Sequence, residues 1–172
     1  NVVFGGGVWL RLGKKNIQTA IDLSGLGLDE ITEDEKEFSI GCMVSLRQLE
    51  THKGIDAYTK GAVKESLRHI VGVQFRNCAT VGGSIWGRFG FSDVLTAFLC
   101  LDCDVVLYHG GVIPLAKFVQ MPYMRDIITH VIVHKNKERK AFACVRKSAT
   151  DLSLLNISAS TYEKGYVICV GA

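Results

Sequence analysis

The stretch RNCATVGGSIWGRFGFSD, residues 76–93, places four glycines and three large aromatic residues within an otherwise apolar chain. Gly82 and Gly83 directly follow a threonine and a valine, and Asp93 comes ten residues after the second glycine. Glycine permits positive φ and close approach of the backbone to a ligand. Successive N–H groups in such a segment form a concavity that suits a pyrophosphate. The stretch is therefore predicted to form an anion-binding loop.

A second glycine segment, FGGGV at Phe4–Val8, follows a strand-like run near the start of the sequence. A tight turn alone accounts for one pair of adjacent glycines. Two glycine segments in different parts of the chain predict a dinucleotide held between two lobes. Neither segment is a G-x-G-x-x-G that opens a helix, and the chain has no G-x-x-x-x-G-K-[ST]. The sequence therefore does not support a Rossmann site or a P-loop.

The overall composition argues against a nucleic-acid-binding or membrane-spanning protein. Across 172 residues, 20 basic and 17 acidic side chains leave a net charge of only +3. A nucleic-acid-binding face needs clustered basic residues with interleaved aromatic ones. The one charge run, KNKERK at Lys135–Lys140, contains a glutamate and is predicted to be a solvated hairpin tip. The longest apolar window, Val94–Leu107, includes two aspartates and is too short to span a bilayer.

The six cysteines are scattered through apolar runs, a pattern typical of buried thiols and not of a disulfide framework. Cys100 and Cys103 have C-x-x-C spacing but lack a second pair, so no metal site is predicted. No secretory signal opens the sequence. We therefore expect a reducing, cytoplasmic compartment.

Hydrophobic periodicity predicts an α+β fold. Helices are indicated over Ser45–Thr51 and Ala57–Ile70, and another begins at Ser92 or Asp93, with the glycine-rich stretch as a loop before it. Short apolar runs between turn residues predict strands, most of which can pair as antiparallel hairpins. These runs are NVVF, IQTAIDL, EFSIGCMV, DVVLYH, IITHVIV, AFACVRK, LSLLNISAS and YVICVG.

Several of these segments together resemble a known family. The run RNCATVGGSI, followed by SDVLTAFLCLDCDVVL, is similar to the FAD-binding subunit of molybdenum hydroxylases, the xanthine dehydrogenase and carbon monoxide dehydrogenase family. There the motif reads R-N-x-A-T-[IV]-G-G-N-I, and later S-D. GGGVWLRL is similar to the family's A-G-G-T-D-L loop, and RKSATDLSLLN to its R-x-x-x-D segment. The resemblance implies a two-lobed PCMH-type FAD-binding domain with a mostly antiparallel sheet in the second lobe.

The resemblance also implies domains, a cofactor and partners. Residues 1–53 would form a first FAD-binding lobe that is N-terminally incomplete, and residues 54–172 a second one, with the family's C-terminal lobe absent. Molybdopterin and 2Fe–2S clusters are expected only on partner subunits, because this chain has no Cys₄ pattern. The flavin would pass electrons to an acceptor such as NAD.

The same resemblance assigns site residues. The first glycine segment would lie along the diphosphate, and the second would contact it from the other side through the Thr80 hydroxyl and the amides of Gly82 and Gly83. Asp93 would accept a hydrogen bond from a hydroxyl of the cofactor's sugar chain, and Ile70 and Ile128 would contact the adenine. No catalytic side chain is implied. The complete set is Val3, Phe4, Gly5, Gly6, Gly7, Val8, Trp9, Leu10, Ile70, Thr80, Val81, Gly82, Gly83, Ser84, Asp93 and Ile128.

The sequence departs from the family pattern at several positions. Val8 and Trp9 replace polar residues, Ser84 replaces asparagine, IWGRFGF replaces small residues, and Ala143 stands where some members have a lysine beside the flavin ring. These departures leave two alternatives open. One is a structural subunit that binds no flavin, and the other is a stand-alone flavin oxidase of the vanillyl-alcohol oxidase type.

Overall fold

A computed structural model describes residues 1–136, 140–163 and 165–172. Within these ranges the chain forms short strands and helices in a mixed order, as predicted for an α+β fold. The strands are β1 (Val2–Phe4), β2 (Ala20–Asp22), β3 (Ile31–Glu33), β4 (Glu37–Gly41), β5 (Cys103–Leu107), β6 (Gly111–Pro114), β7 (Ile128–His134), β8 (Lys140–Val145), β9 (Leu155–Tyr162) and β10 (Gly165–Gly171). The helices are α1 (Val8–Leu12), α2 (Leu46–Thr51), α3 (Lys53–Thr59), α4 (Ala62–Leu67), α5 (Val73–Cys78), α6 (Val81–Trp86), α7 (Asp93–Leu99) and α8 (Leu115–Phe118).

The described strands pair in three sheets. β1 and β2 are parallel and form a small sheet near the first glycine segment. A five-stranded antiparallel sheet has the order β3-β4-β7-β5-β6, and a three-stranded antiparallel sheet has the order β10-β9-β8. The prediction of a mostly antiparallel α+β fold is therefore confirmed.

The five-stranded sheet crosses the boundary predicted between the lobes at residue 53. β3 and β4 precede that position, yet β4 pairs directly with β7, which follows it by some ninety residues of chain. The range 54–172 in turn contributes to two separate sheets. The division into lobes stays a prediction, and the pairing of β4 with β7 favours a boundary between β2 and β3.

The core lies between the five-stranded sheet and the helices that pack on it. Phe38 and Ile40 of β4, Val105 of β5 and Val131 of β7 are completely buried. Their alternation with exposed or half-buried residues is the period of two expected for a sheet with one covered face. From the helices, Leu67 and Phe98 complete the same cluster.

The predicted helix over Ala57–Ile70 is wrong, because the chain breaks into α3 and α4. Lys60 and Gly61 between them both have positive φ, of 50° and 84°. Two consecutive residues in the left-handed backbone conformation end a helix, and glycine at the second position adopts that conformation without steric strain. Ser45 begins α2 as predicted, through a capping box with Gln48.

The glycine-rich stretch is also mostly helical and not a loop. α5 and α6 occupy it, joined at Ala79 and Thr80, and Thr80 is the N-cap of α6. Glycine is a poor helix former, so the pattern gave no helix signal. Tertiary packing overrides the propensity here, because Val81 and Ile85 of α6 are completely buried against the sheet.

Two sequence-based expectations concern the surface. In the described part of the chain, no helix is both long and apolar enough to cross a membrane. The predicted hairpin tip in Lys135–Lys140 falls largely on residues 137–139, which lie outside the described residues.

Candidate cofactor-binding site

One cavity of about 760 Å³ lies where the first glycine segment meets the junction between α5 and α6. Its volume is in the range of sites that bind small molecules and cofactors. The walls come from the β1–α1 connection, α6, the loop between α6 and α7, the start of β7 and the loop between β8 and β9. Most lining residues are apolar, with a few polar groups among the glycines.

The first glycine segment is shaped by direct contact with the second. A Cβ on Gly6 would stand 1.6 Å from the carbonyl oxygen of Cys78, so only glycine fits there. A Cβ on Gly5 would lie 3.0 Å from the Thr80 hydroxyl oxygen, and Gly7 has a φ of 71°. Among the described residues, no backbone carbonyl accepts a hydrogen bond from the amides of Gly6 or Gly7. The result is a wall of bare backbone with available donors.

The start of α6 supplies the facing part of this wall. The Gly82 amide donates to the carbonyl of Cys42 at 2.9 Å, and a Cβ on Gly82 would lie 2.6 Å from the Cys42 Cβ. Gly82 is therefore required for helix–strand packing, and its amide is not the free diphosphate donor that was predicted. Gly83 is exposed, and its amide donates to the Thr80 hydroxyl at 3.2 Å. The Ser84 hydroxyl donates to the Thr80 carbonyl at 3.0 Å.

Asp93, at the start of α7, is held by the loop between β8 and β9. Its carboxylate accepts hydrogen bonds from the Arg146 guanidinium, from the Ser153 hydroxyl at 2.5 Å and from the Asn156 amide at 3.1 Å. Arg146 and Asp93 form a buried ion pair. Burial has the largest single effect and lowers the pKa of Arg146, but the charges of and hydrogen bonds to Asp93 and Cys144 together outweigh it, so that the pKa is raised. This network fixes one wall of the cavity.

Most of this chain matches a known protein family. The family described as "FAD binding domain in molybdopterin dehydrogenase" matches residues 2–135. This chain belongs to that family. The resemblance seen in the sequence is confirmed, and FAD is the family's cofactor. The alternative of a stand-alone flavin oxidase finds no support in this match.

Individual proteins are similar to this chain in sequence or in fold. The uncharacterized protein YgfM of Escherichia coli (strain K12) is 27% identical over 161 residues, which are 89% of this chain and 60% of that protein. Quinoline 2-oxidoreductase from Pseudomonas putida 86 superposes with a TM-score of 0.87 at 18% identity, over 99% of this chain and 66% of that one. Carbon monoxide dehydrogenase from Hydrogenophaga pseudoflava gives the same score and identity over 98% and 66%. The two structures share the fold, and this chain spans less than two thirds of each relative.

The family's site residues, carried over from the sequence, converge on the cavity with two exceptions. Phe4 does not line it, and its ring packs beside Gly7. Val81 is completely buried in the core. The remainder line the cavity, and their contacts with FAD stay predictions: Val3, Gly5, Gly6, Gly7, Val8, Trp9, Leu10, Ile70, Thr80, Gly82, Gly83, Ser84, Asp93 and Ile128.

Besides Gly82, the structure bears on two more of the predicted roles. Asp93 already accepts from three side chains, so its primary role is structural, and a contact with a sugar hydroxyl stays a prediction. Ala143 lies exposed on β8 and is not among the cavity-lining residues, so its position beside the flavin ring stays a prediction.

The cavity lining also includes residues that sequence reasoning did not select, among them Phe75, Phe89, Phe91, Arg146 and Ser153. Arg146 and Ser153 lie within RKSATDLSLLN, a segment noted only for its resemblance. Its arginine and asparagine could have suggested a carboxylate partner, but nothing in the sequence identified Asp93. Phe89 and Phe91 lie in IWGRFGF, which departs from the family pattern, and this departure hid their place in the site.

Proposed function

We propose that this chain is an FAD-binding electron-transfer subunit of a molybdenum hydroxylase-type oxidoreductase. The observation that carries the proposal is the glycine wall, where Gly6 packs on Cys78 too closely for any side chain and Gly7 turns through a positive φ. Close approach of bare backbone with unpaired amides is what a diphosphate requires. Family membership supplies FAD as the diphosphate-containing ligand.

The residues divide the binding of FAD between polar and apolar contacts. The amides of Gly6 and Gly7 and the hydroxyl of Thr80 would hold the diphosphate. Ile70 and Ile128 would contact the adenine, and Arg76 supports Ile70 by donating to its carbonyl at 3.0 Å. Arg76 is itself fixed by a buried ion pair with Glu50 at 2.9 Å. The flavin ring would supply the redox chemistry, while the protein contributes placement and a low-dielectric environment.

The other redox steps of the enzyme would take place on partner subunits. Partner subunits would carry molybdopterin and 2Fe–2S clusters, and electrons would pass from the clusters through FAD to an acceptor such as NAD. We place the assembly in the cytoplasm, consistent with six cysteines that are all free thiols. We retain two FAD-binding lobes but move their boundary to lie between β2 and β3. β8–β10 would form a further unit, since they lie beyond the family match.

A structural subunit that binds no flavin is the second candidate. Two observations favour it: Val8 and Trp9 provide no hydroxyl or carboxamide to the phosphates, and the Gly82 amide is engaged by Cys42. Each lost hydrogen bond to a charged group costs about 1.5–3 kcal/mol. The backbone donors at Gly6 and Gly7 remain, so binding is expected to be weakened and not abolished.

Titration of the apo chain with FAD tests the proposal. Saturable quenching of flavin fluorescence, with a dissociation constant in the micromolar range and so about 8 kcal/mol of binding free energy, is expected. Submicromolar affinity would show that Val8 and Trp9 cost nothing. Absence of saturation at millimolar FAD would reject the proposal in favour of the structural subunit.

A further inference from the structure

Three aromatic rings contact one another at the rim of the cavity. The ring centroids of Trp9 and Phe89 lie 5.5 Å apart, and those of Trp9 and Phe91 lie 5.9 Å apart. Phe89 and Phe91 stack at 5.2 Å with an interplanar angle of 8°. These are the distances and angles of favourable aromatic pairs. We call these three residues the aromatic cluster.

The segment that carries two of the rings is held in place by hydrogen bonds on both sides. The Tyr123 hydroxyl donates to the carbonyl of Gly87 at 3.1 Å, and the Asn156 amide donates to that of Phe91 at 3.2 Å. Within the segment the Ser92 amide donates to the carbonyl of Phe89 at 3.0 Å. The rings are therefore positioned by the fold before any ligand arrives.

Packing of the hydrophobic core does not explain why the aromatic cluster lies at the rim of the cavity. Trp9 remains 47% exposed and Phe89 40% exposed, although both contact other rings, and all three residues line the cavity. A cluster formed to complete the core would bury these rings. Exposed aromatic surface beside a concave apolar wall is typical of a place where a planar ligand stacks.

We infer that the aromatic cluster binds the isoalloxazine ring of FAD by stacking, an inference that rests on the proposed function. FAD carries two ring systems joined through the diphosphate, and two groups of apolar residues in the cavity lining could receive them. Ile70 and Phe75 on the α4–α5 side form one group, and the aromatic cluster forms the other. The cluster offers the larger ring area, which suits the larger, tricyclic ring. Its exposed position also leaves an edge of that ring open to electron donors and acceptors.

Trp9 then has a definite role in selecting the ligand. Where the family pattern has a polar residue beside the diphosphate, this chain has an indole that binds the other half of the molecule. Affinity therefore shifts from phosphate hydrogen bonds to ring stacking. The chain is expected to depend on the flavin half of FAD more strongly than on the adenosine diphosphate half.

Titrations of FAD and of ADP against the same variants test this inference. Trp9→Ala and Phe89→Ala should weaken FAD binding by tenfold or more while they change ADP binding less than twofold, and Trp9→Phe should restore part of the FAD affinity. Tyr166→Ala, which removes an exposed aromatic ring on β10 outside the cavity lining, is the matched control. Melting temperatures of the apo variants identify any that fail to fold.

The outcomes separate this inference from the proposed function. If wild type binds FAD and the Trp9 and Phe89 variants bind it equally well, only the stacking role is overturned. Equal losses for FAD and ADP would also overturn it, because the rings would then act on the whole cavity. If wild type binds neither FAD nor ADP, the proposed function fails and the inference fails with it.

Discussion

At the scale of single residues, Asp93 shows how one buried charge joins distant parts of the chain. Its carboxylate is buried together with the guanidinium of Arg146, and Arg146 also donates to the carbonyl of Asp151. The contact links α7 to a loop more than fifty residues away. The two contacts use different nitrogens of the guanidinium, Nη1 for Asp151 and Nη2 for Asp93, which the planar fork of arginine holds in fixed geometry.

Arg146→Gln is expected to lower the free energy of unfolding by about 3–5 kcal/mol, because it leaves the Asp93 carboxylate buried without its cation. Urea unfolding of the apo chain measures the loss. Lys147→Gln, which changes the exposed neighbouring residue, is the control and should stay within about 0.5 kcal/mol of wild type. A similar small effect for Arg146→Gln would mean that water replaces the guanidinium and that the ion pair does not hold this wall.

Asp93 could be selected from the sequence as a site residue, but its hydrogen-bond partners could not be predicted. An aspartate at a helix start has a local explanation, whereas contacts with Arg146, Ser153 and Asn156 depend on how the three-stranded sheet packs against α7. The glycine segments were predictable as a site because glycine, which lacks a Cβ, permits positive φ and close approach of the backbone to a ligand. The aromatic cluster was not, because pairing of Trp9 with Phe89 requires two segments eighty residues apart to meet.

At the scale of elements, α6 contains two adjacent glycines, and the absence of a side chain serves a different purpose at each position. Gly82 faces the backbone of Cys42, and a Cβ there would overlap atoms that cannot move aside. Gly83 faces outward, and within 4 Å a Cβ would meet only the Thr80 hydroxyl oxygen, at 3.1 Å. One glycine serves the packing of the helix and the other borders the cavity.

Substitution of each glycine by alanine should separate these reasons. Gly82→Ala is expected to lower the free energy of unfolding by about 1–3 kcal/mol through overpacking. Gly83→Ala should change stability by less than about 1 kcal/mol, since alanine favours the helix, but should weaken FAD binding because its Cβ disturbs Thr80 at the cavity wall. Thermal unfolding without FAD and fluorescence titration with FAD provide the two measurements. The assignment is wrong if Gly83→Ala unfolds the chain or if Gly82→Ala leaves its stability unchanged.

At the scale of the whole molecule, periodicity predicted the fold class and the motif resemblance indicated the family, but neither predicted the arrangement of sheets. The order β3-β4-β7-β5-β6 joins strands across some hundred residues, and no local pattern encodes such pairing. For the same reason the sequence offered no sheet pairing against which the lobe boundary at residue 53 could be checked, and that boundary stays a prediction. The separate sheet β8–β10 was likewise invisible, since its strands look like those of the first antiparallel sheet.

That sheet has two contrasting faces, and its outer face sets the behaviour of the chain in solution. On the inner face, the Ser158 hydroxyl donates to a carbonyl of α7, and the Ser160 hydroxyl donates to the carbonyl of Cys100, directly after that helix. On the outer face of β10, Tyr166, Ile168 and Val170 are all more than half exposed, and β10 is the edge of its sheet. Exposed apolar patches of a few hundred Å² together with an unpaired edge promote association between molecules.

The 172-residue chain is therefore expected to self-associate as its concentration rises. The double substitution Ile168→Lys with Val170→Lys should shift it toward monomer, because two charges on the outer face of an edge strand oppose pairing. Val112→Lys, at an equally exposed apolar position on β6, is the matched control and should leave the association unchanged. Sedimentation velocity over a concentration series makes the measurement. A chain that sediments as a monomer throughout would show that the face does not drive association, and an equal effect of Val112→Lys would assign association to net charge instead of to this sheet.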